Sequence, residues 1–378
     1  MSRGDRALLL LPLALSVVGV VMVYSSSAIL GITRHQDPNY FFVRQLFRAL
    51  LGVVVMLACA RLRLRVLEAI APWLLGGAGL MLAVVVVAGQ VSNGATRWLR
   101  IGLFTLQPTD LARLATVVFL AWWLKRRPPG ELGFVRGILP PLAVVGVMSG
   151  LILLQPNLSS AGLLMVVGLA MAFMSGAQLR HLMVPVGAGA AAAMLALLTH
   201  PYQMKRVASF VDFLFRGTLD ARGSGWQLDQ SLIAIGSGGW LGRGLGGGMQ
   251  KYLFLPEAHT DFIFSILAEE LGFVGSTFLM ALFAIYLWRC LRAAARAADP
   301  FARLLAGGLA VQLGLYAVVN LSVATGLAPT TGLPLPFVSY GGSALVANMA
   351  AAGLLYRVSA GNDEREALAR QRFARGDS

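Results

Sequence analysis

Ten apolar segments of about 20 residues each divide the chain, and few folds accommodate that pattern. They fall at roughly 7–30, 44–60, 66–89, 108–124, 138–154, 159–176, 181–200, 261–288, 302–324 and 340–358. A helix crosses the hydrocarbon core of a bilayer in ~20 apolar residues, and it satisfies its own backbone polar groups while doing so. Of the 378 residues, 57% are hydrophobic and only 13% charged, where a soluble domain carries about a quarter charged. The expected fold is an all-α integral membrane protein with ten transmembrane helices. Residues 1–360 make one transmembrane domain, and 361–378 form a charged cytoplasmic tail. The run from Leu8 to Leu30 has no Ala-x-Ala exit, so it reads as the first span and not a cleaved signal.

Charge gives the orientation. With the N-terminus inside, the cytoplasmic segments hold 19 of the 31 Lys and Arg residues. Ten lie outside, six of them in one long loop, and Arg48 and Arg113 fall within spans. Long loops obey the positive-inside rule weakly, and without that loop the ratio is 19 to 4. Both termini are therefore expected in the cytoplasm. The net charge of +14 reflects these basic loops and not a nucleic-acid partner. Cys59 and Cys290 lie in or beside apolar runs and imply no disulfide framework.

The long connection, residues 201–260 between the seventh and eighth spans, is expected on the extracytoplasmic side. Structureless loops of that length are functional or disordered. This one interleaves Lys205, Arg206, Asp212, Arg216, Asp220, Arg222, Arg243, Lys251, Glu257 and His259 with aromatic residues such as Phe210, Trp226, Trp240 and Tyr252. That mixture suits a segment lying at the headgroup layer. Asp261 sits where the eighth span enters the membrane. It could be the helix N-cap, as could Thr260, or a base facing a sugar hydroxyl. Glu269 and Glu270 lie deeper, where ionised carboxylates are normally paired. Arg48 and Arg113 are candidate partners, and Asp110 can also pair with Arg113 at i,i+3.

These residues resemble the FtsW/RodA, or SEDS, family. The resemblance rests on Leu255-Pro-Glu-Ala-His-Thr-Asp-Phe-Ile-Phe-Ser265 with Ala268-Glu-Glu-Leu-Gly272, and on Gly332-Leu-Pro-Leu-Pro-Phe-Val-Ser-Tyr-Gly-Gly-Ser343. Asn93-Gly-Ala-Thr-Arg-Trp98, Gln107-Pro108, Leu154-Gln-Pro156 and Met204-Lys-Arg-Val207 support it in the expected order. Gln250-Lys251, Pro329-Thr-Thr-Gly332, Asn348-Met-Ala-Ala351 and Tyr24-Ser-Ser-Ser-Ala28 resemble the division branch, FtsW, more than the elongation branch, RodA. The chain departs from the family with Asn157 where many members have an acid, and with Asp110 and Arg113 where many have Glu and Lys.

The resemblance implies a peptidoglycan glycosyltransferase of the bacterial cytoplasmic membrane. Such an enzyme joins lipid II units on the extracytoplasmic face, alongside a class B penicillin-binding protein and other division proteins. The family's essential aspartate falls on Asp261, which is the expected catalytic base. A diphosphate leaves as an anion, so it needs cations and no acid. Lys205 and Arg206 are the first candidates for those cations, then Lys251, Arg216 and Arg243. Glu257, Ser339 and Ser343 are further expected substrate contacts, and His259 is either one of them or makes a structural hydrogen bond. No ligand cluster specifies a metal or other cofactor, though a divalent cation such as Mg or Mn could share the diphosphate. The rival readings are a RodA-type elongation polymerase, a flippase for lipid-linked precursors, and a scaffold that recruits division partners.

Overall fold

The computed structural model describes residues 4–92, 95–101, 104–128, 133–199, 201–217 and 223–375. Asn93, Gly94, Asp220 and Arg222, named above, lie outside the described residues. Three helices open the chain: α1 (Ala7–His35), α2 (Tyr40–Arg61) and α3 (Leu64–Ala88). A small antiparallel sheet follows, in the order β1 (Gln90–Ser92), β2 (Ala95–Ile101), β3 (Phe104–Leu106). Then come α4 (Pro108–Arg126), a π-helical turn (Phe134–Ile138) running into α5 (Leu139–Leu153), α6 (Leu158–Met174) and α7 (Leu179–Thr199). The long connection folds as α8 (Pro201–Arg216), α9 (Ser224–Gly238) and a series of turns. The chain ends with α10 (Ile263–Arg296), α11 (Pro300–Ala324) and α12 (Gly342–Arg375), the last carrying the charged tail as helix.

The small sheet is an addition to the expected helical fold. Its strands are too short to register beside the long apolar runs, and it sits between two of them. Among the described residues, eight helices are long and apolar enough to cross a membrane. The two expected spans that fall short do so for visible reasons. Helix α6 is apolar but only 17 residues long, and α4 carries Asp110, Arg113, Lys125 and Arg126.

Local chemistry fixes several helix starts. Pro108 and Pro300 occupy first-turn positions, where no N–H is needed. The Asp299 carboxylate accepts from Ala302 N at 3.1 Å. Asn157 caps α6 by accepting from Ser160 N at 3.3 Å. Helix α11 and the Gly342–Gly361 part of α12 are largely buried, whereas α7 buries Leu182 alone. Helix α12 packs so closely on α2 that a Cβ at Gly353 would overlap the Met56 carbonyl oxygen.

The two ends of the bundle differ. At one end Asp5 N donates to Ser359 Oγ at 2.9 Å, and Arg289 pairs with Asp5 at 3.0 Å. There Lys125 bridges Glu68 at 3.0 Å and Asp299 at 3.2 Å. The opposite end gathers the sheet, the α5–α6 turn, residues 239–262 and the 325–341 segment.

Helix α10 is broken at Gly272, where φ is 67° and ψ −164°. The expected eighth span is thus two half-helices, and Asp261 precedes the first of them. The break would orphan four backbone groups, which is costly without water. Residues 239–244 replace the lost bonds. Arg243 N and Gly244 N donate to the Glu269 and Glu270 carbonyls, both at 3.0 Å. In return Phe273 N donates to Gly239 O at 2.8 Å and Val274 N to Trp240 O at 3.1 Å.

Candidate active site

Asp261 lies in a tight turn built on one carbonyl. The N–H groups of Thr260, Asp261 and Phe262 all donate to Glu257 O, at 3.2, 3.1 and 3.2 Å. Glu257 holds a left-handed φ of 54°, a strained conformation for a residue with a side chain. The turn is clamped from two sides. Asn320 Nδ2 of α11 donates to Asp261 O and to Leu333 O, each at 2.8 Å. Ser339 Oγ donates to Thr260 O at 2.6 Å, and Tyr340 N donates to His259 O at 2.9 Å.

The backbone is pinned while the carboxylate is left free. Phe262 holds the N-cap position of α10, and among the described residues none of the helix's first N–H groups donates to the Asp261 carboxylate. Among the described residues no group hydrogen-bonds its carboxylate. Its side chain is half-buried, packed near Gly332. Burial and the neighbouring Glu257 push its pKa up to about 7, while Arg206 and Arg97 pull it down. A carboxyl poised near neutral pH is suited to proton abstraction.

The cations beside it come from different elements. Arg206 of α8 donates to Thr330 O at 3.3 Å and to the Tyr202 hydroxyl at 2.7 Å. Arg97 of β2 donates to Gln155 O at 3.0 Å and also to Pro156 O, which ties the sheet to the α5–α6 turn. Burial and the proximity of Arg206 lower the Arg97 pKa, opposed by Tyr202 and Asp261. Two guanidiniums held near each other and near one acid make an anion-attracting corner.

The other expected residues divide. Lys205 is exposed on α8, next to Arg206 in sequence. Glu257 is exposed, and its carboxylate accepts from Thr260 Oγ1 at 2.9 Å. Arg216 is a surface partner of Asp212 at 3.1 Å, away from Asp261. Arg243 lies 3.8 Å from Glu269. Lys251 is buried on Glu270 at 2.8 Å, so it is an internal ion pair and not a substrate contact. Ser339 and Ser343 are also structural. Ser339 Oγ accepts from Leu335 N at 2.8 Å, and Ser343 Oγ donates to Asp110 at 2.6 Å. His259 is buried between Phe41 and Tyr340, with ring centroids at 4.9 and 5.4 Å. Burial lowers its pKa to about 4, against Glu257 and with Arg34, so the ring is neutral at pH 7.

The intramembrane charges pair differently from the expectation. Asp110 and Arg113 do meet, at 3.3 Å, and Arg113 also donates to Asn348 at 3.2 Å. Among the described residues Arg48 has no carboxylate partner, and it lies over the Tyr340 ring at 4.7 Å. Glu269 and Glu270 take neither Arg48 nor Arg113. Glu269 accepts from Met249 N at 2.7 Å and Gln250 N at 3.2 Å, and Glu270 takes Lys251 and Ser25. Among the described residues no three His, Cys, Asp or Glu side chains cluster as a metal site. Sequence reasoning missed Arg97 and Asn320 as site residues. A lone Asn in the ninth apolar segment was itself a signal, since polar groups in spans are rarely idle.

The chain also matches known proteins over nearly its whole length. The FtsW/RodA/SpoVE family of cell cycle proteins matches residues 6–364. A probable peptidoglycan glycosyltransferase FtsW from Thioalkalivibrio sulfidiphilus is 43% identical over 361 residues, which is 94% of this chain and 89% of that one. Its counterpart from Halorhodospira halophila is 41% identical, covering 94% and 90%. Among solved structures, a chain of a peptidoglycan synthase complex coordinating polymerization and crosslinking superposes with a TM-score of 0.77 and 33% identity, covering 95% and 98%. The Thermus thermophilus rod shape determining protein RodA gives a TM-score of 0.69 and 31% identity, covering 94% and 96%. With that match over nearly its whole length, the chain belongs to the FtsW/RodA/SpoVE family.

Proposed function

We propose that this protein polymerises lipid II into β-1,4 glycan strands for septal synthesis in cell division, with Asp261 as the general base. Its relatives carry the name FtsW, which favours division over elongation. The observation that carries the mechanism is the Asp261 carboxylate. It is half-buried, free of hydrogen bonds among the described residues, raised to about 7 and flanked by Arg206 and Arg97.

The step balances with these groups alone. Asp261 takes the proton from the 4-hydroxyl of the acceptor sugar. The oxygen attacks the donor's anomeric carbon from the face opposite the leaving group, so the new bond is inverted. The bond from that carbon to the diphosphate oxygen breaks, and its electron pair departs with undecaprenyl diphosphate. Arg206 and Arg97 stabilise the growing negative charge, with Lys205 close by in sequence. The chain crosses the bacterial inner membrane ten times with both termini cytoplasmic, and Asp261 lies on the extracytoplasmic side. Supporting this, Asp5 and Ser359 meet at the bundle end opposite the site. A class B penicillin-binding protein is the partner, in keeping with the synthase complex that resembles this chain.

The test is reconstitution with purified lipid II and the partner transpeptidase. Glycan strands are expected. Flipping of the precursor in proteoliposomes without polymer would identify a flippase instead. Within that assay Arg206→Gln is expected to lower turnover by about 10–100-fold. Because Arg206 pulls the Asp261 pKa down, its loss moves the acid limb of the pH–rate profile to higher pH. An unmoved limb removes Arg206 from the site.

A further inference from the structure

We infer that Lys251 is a positioning residue for Asp261, acting through Glu270 and Ser25. The inference rests on the reading of Asp261 as the base. The Lys251 and Glu270 side chains are 6% and 0% exposed. An ammonium has three donors, and this one uses all of them. It donates to Glu270 Oε1 at 2.8 Å, Gly246 O at 2.6 Å and Ser25 Oγ at 3.3 Å. Nothing is left for substrate, so the cation acts on the protein.

The pair closes a circuit in the chain. Glu269 holds the N–H groups of Met249 and Gln250, and Glu270 holds Lys251. Both acids sit at the end of the first half of α10, just before the Gly272 break. Starting from Lys251, the chain runs through buried Leu255 and Ala258 to Asp261, then along that half-helix back to Glu270. The space inside the tether is fully used, since a Cβ at Gly248 would come within 2.8 Å of Glu269 Oε2. Asp261 therefore sits on a ring that the tether closes, and Ser25 fastens the ring to α1. Loosening the tether lets the turn that carries the carboxylate shift without removing either cation beside it. Arg206 and Arg97 lie outside the ring, whereas Glu257 lies on it and moves with Asp261. Buried ion pairs commonly give little net stability, so geometry is the role left for this one.

The test compares Lys251→Met with Lys251→Met/Glu270→Gln in the full chain with its transpeptidase partner, using purified lipid II. The single variant is expected to lose about 100-fold in kcat, as misplacement of a catalytic group does, with KM within about twofold. The double variant removes the unpaired buried charge. It is expected to regain the parent's melting temperature in detergent while kcat stays low. If the double variant recovers kcat together with melting, Lys251 only stabilises and the inference falls. A raised KM at unchanged kcat places Lys251 on the substrate and overturns it equally. Asp261→Asn run alongside separates the layers. Activity retained there sinks the base reading and the tether with it, whereas activity lost there but kept in Lys251→Met sinks the tether alone.

Discussion

Asp261→Asn is expected to lower kcat for glycan polymerisation by about 10²–10⁴-fold, with the protein still folded and inserted. The amide keeps the shape of the side chain and cannot accept the proton. The backbone clamps from Asn320 and Ser339 do not involve the carboxylate, so the turn survives. The pH dependence has a definite sign. Only the ionised form of Asp261 is a base, and its pKa is raised to about 7. Turnover of the parent should therefore rise with pH up to and through 7, then level off. Stability runs the other way. Burial disfavours the charged form, so the contribution of Asp261 to folding is fullest below the unfolded-state value near 3.8 and is lost as pH rises through 7. Above that pH Asp261→Asn should be the more stable protein. Screening at a partly exposed carboxylate holds the gain to roughly 2 kcal/mol. Polymerase assays at several pH values, with melting curves at pH 5 and 8, check both halves. A fully active Asn variant excludes the base role.

The bilayer made the large-scale fold legible, because only long apolar helices suit it. The segments that became α1, α2, α3 and α11 could be read directly. Shorter features could not. The sheet between α3 and α4 carries no period long enough to stand out, and Gly272 within Glu-Leu-Gly-Phe reads as ordinary helix. Its break depends on residues 239–244, some 30 residues earlier, whose sequence does not announce a partner. The Asp110–Arg113 pair formed as expected, but the partners expected for Glu269 and Glu270 failed for a related reason. A span charge demands a partner, yet Arg48 is satisfied in part by the Tyr340 ring. Glu269 and Glu270 are satisfied by backbone N–H groups, Lys251 and Ser25, drawn from a loop and from α1. Asp261 could be singled out as a candidate because its motif is specific and its place at a helix start is local. Arg97 and Arg206 meet it only through folding, from a strand and a helix more than 100 residues apart.

Gly272→Ala is expected to be strongly destabilising. At φ 67° and ψ −164° the backbone sits in a region that only glycine enters readily. A Cβ there would also overlap the Gly242 nitrogen and crowd the carbonyl carbons of Trp240 and Leu241. These atoms belong to backbone that cannot yield, since residues 239–244 supply four hydrogen bonds to the broken ends of α10. Strain and overlap together amount to roughly 2–6 kcal/mol. Relief requires either a continuous α10 or a displaced loop. A continuous helix would evict Arg243 and Gly244 from the Glu269 and Glu270 carbonyls and leave the loop's own polar groups unpaired at membrane depth. Gly242→Ala should behave similarly, as its Cβ would overlap the Glu270 carbonyl at φ 80°. Gly236→Ala provides the contrast. Nothing lies within 4 Å of its Cβ position, and it sits within α9. There the methyl should be neutral or stabilising by up to about 1 kcal/mol. Melting and size-exclusion profiles of the three variants in detergent decide the matter. If Gly272→Ala melts with the parent, the break is not a built feature of the fold, and the loop that carries Asp261 must be held in some other way.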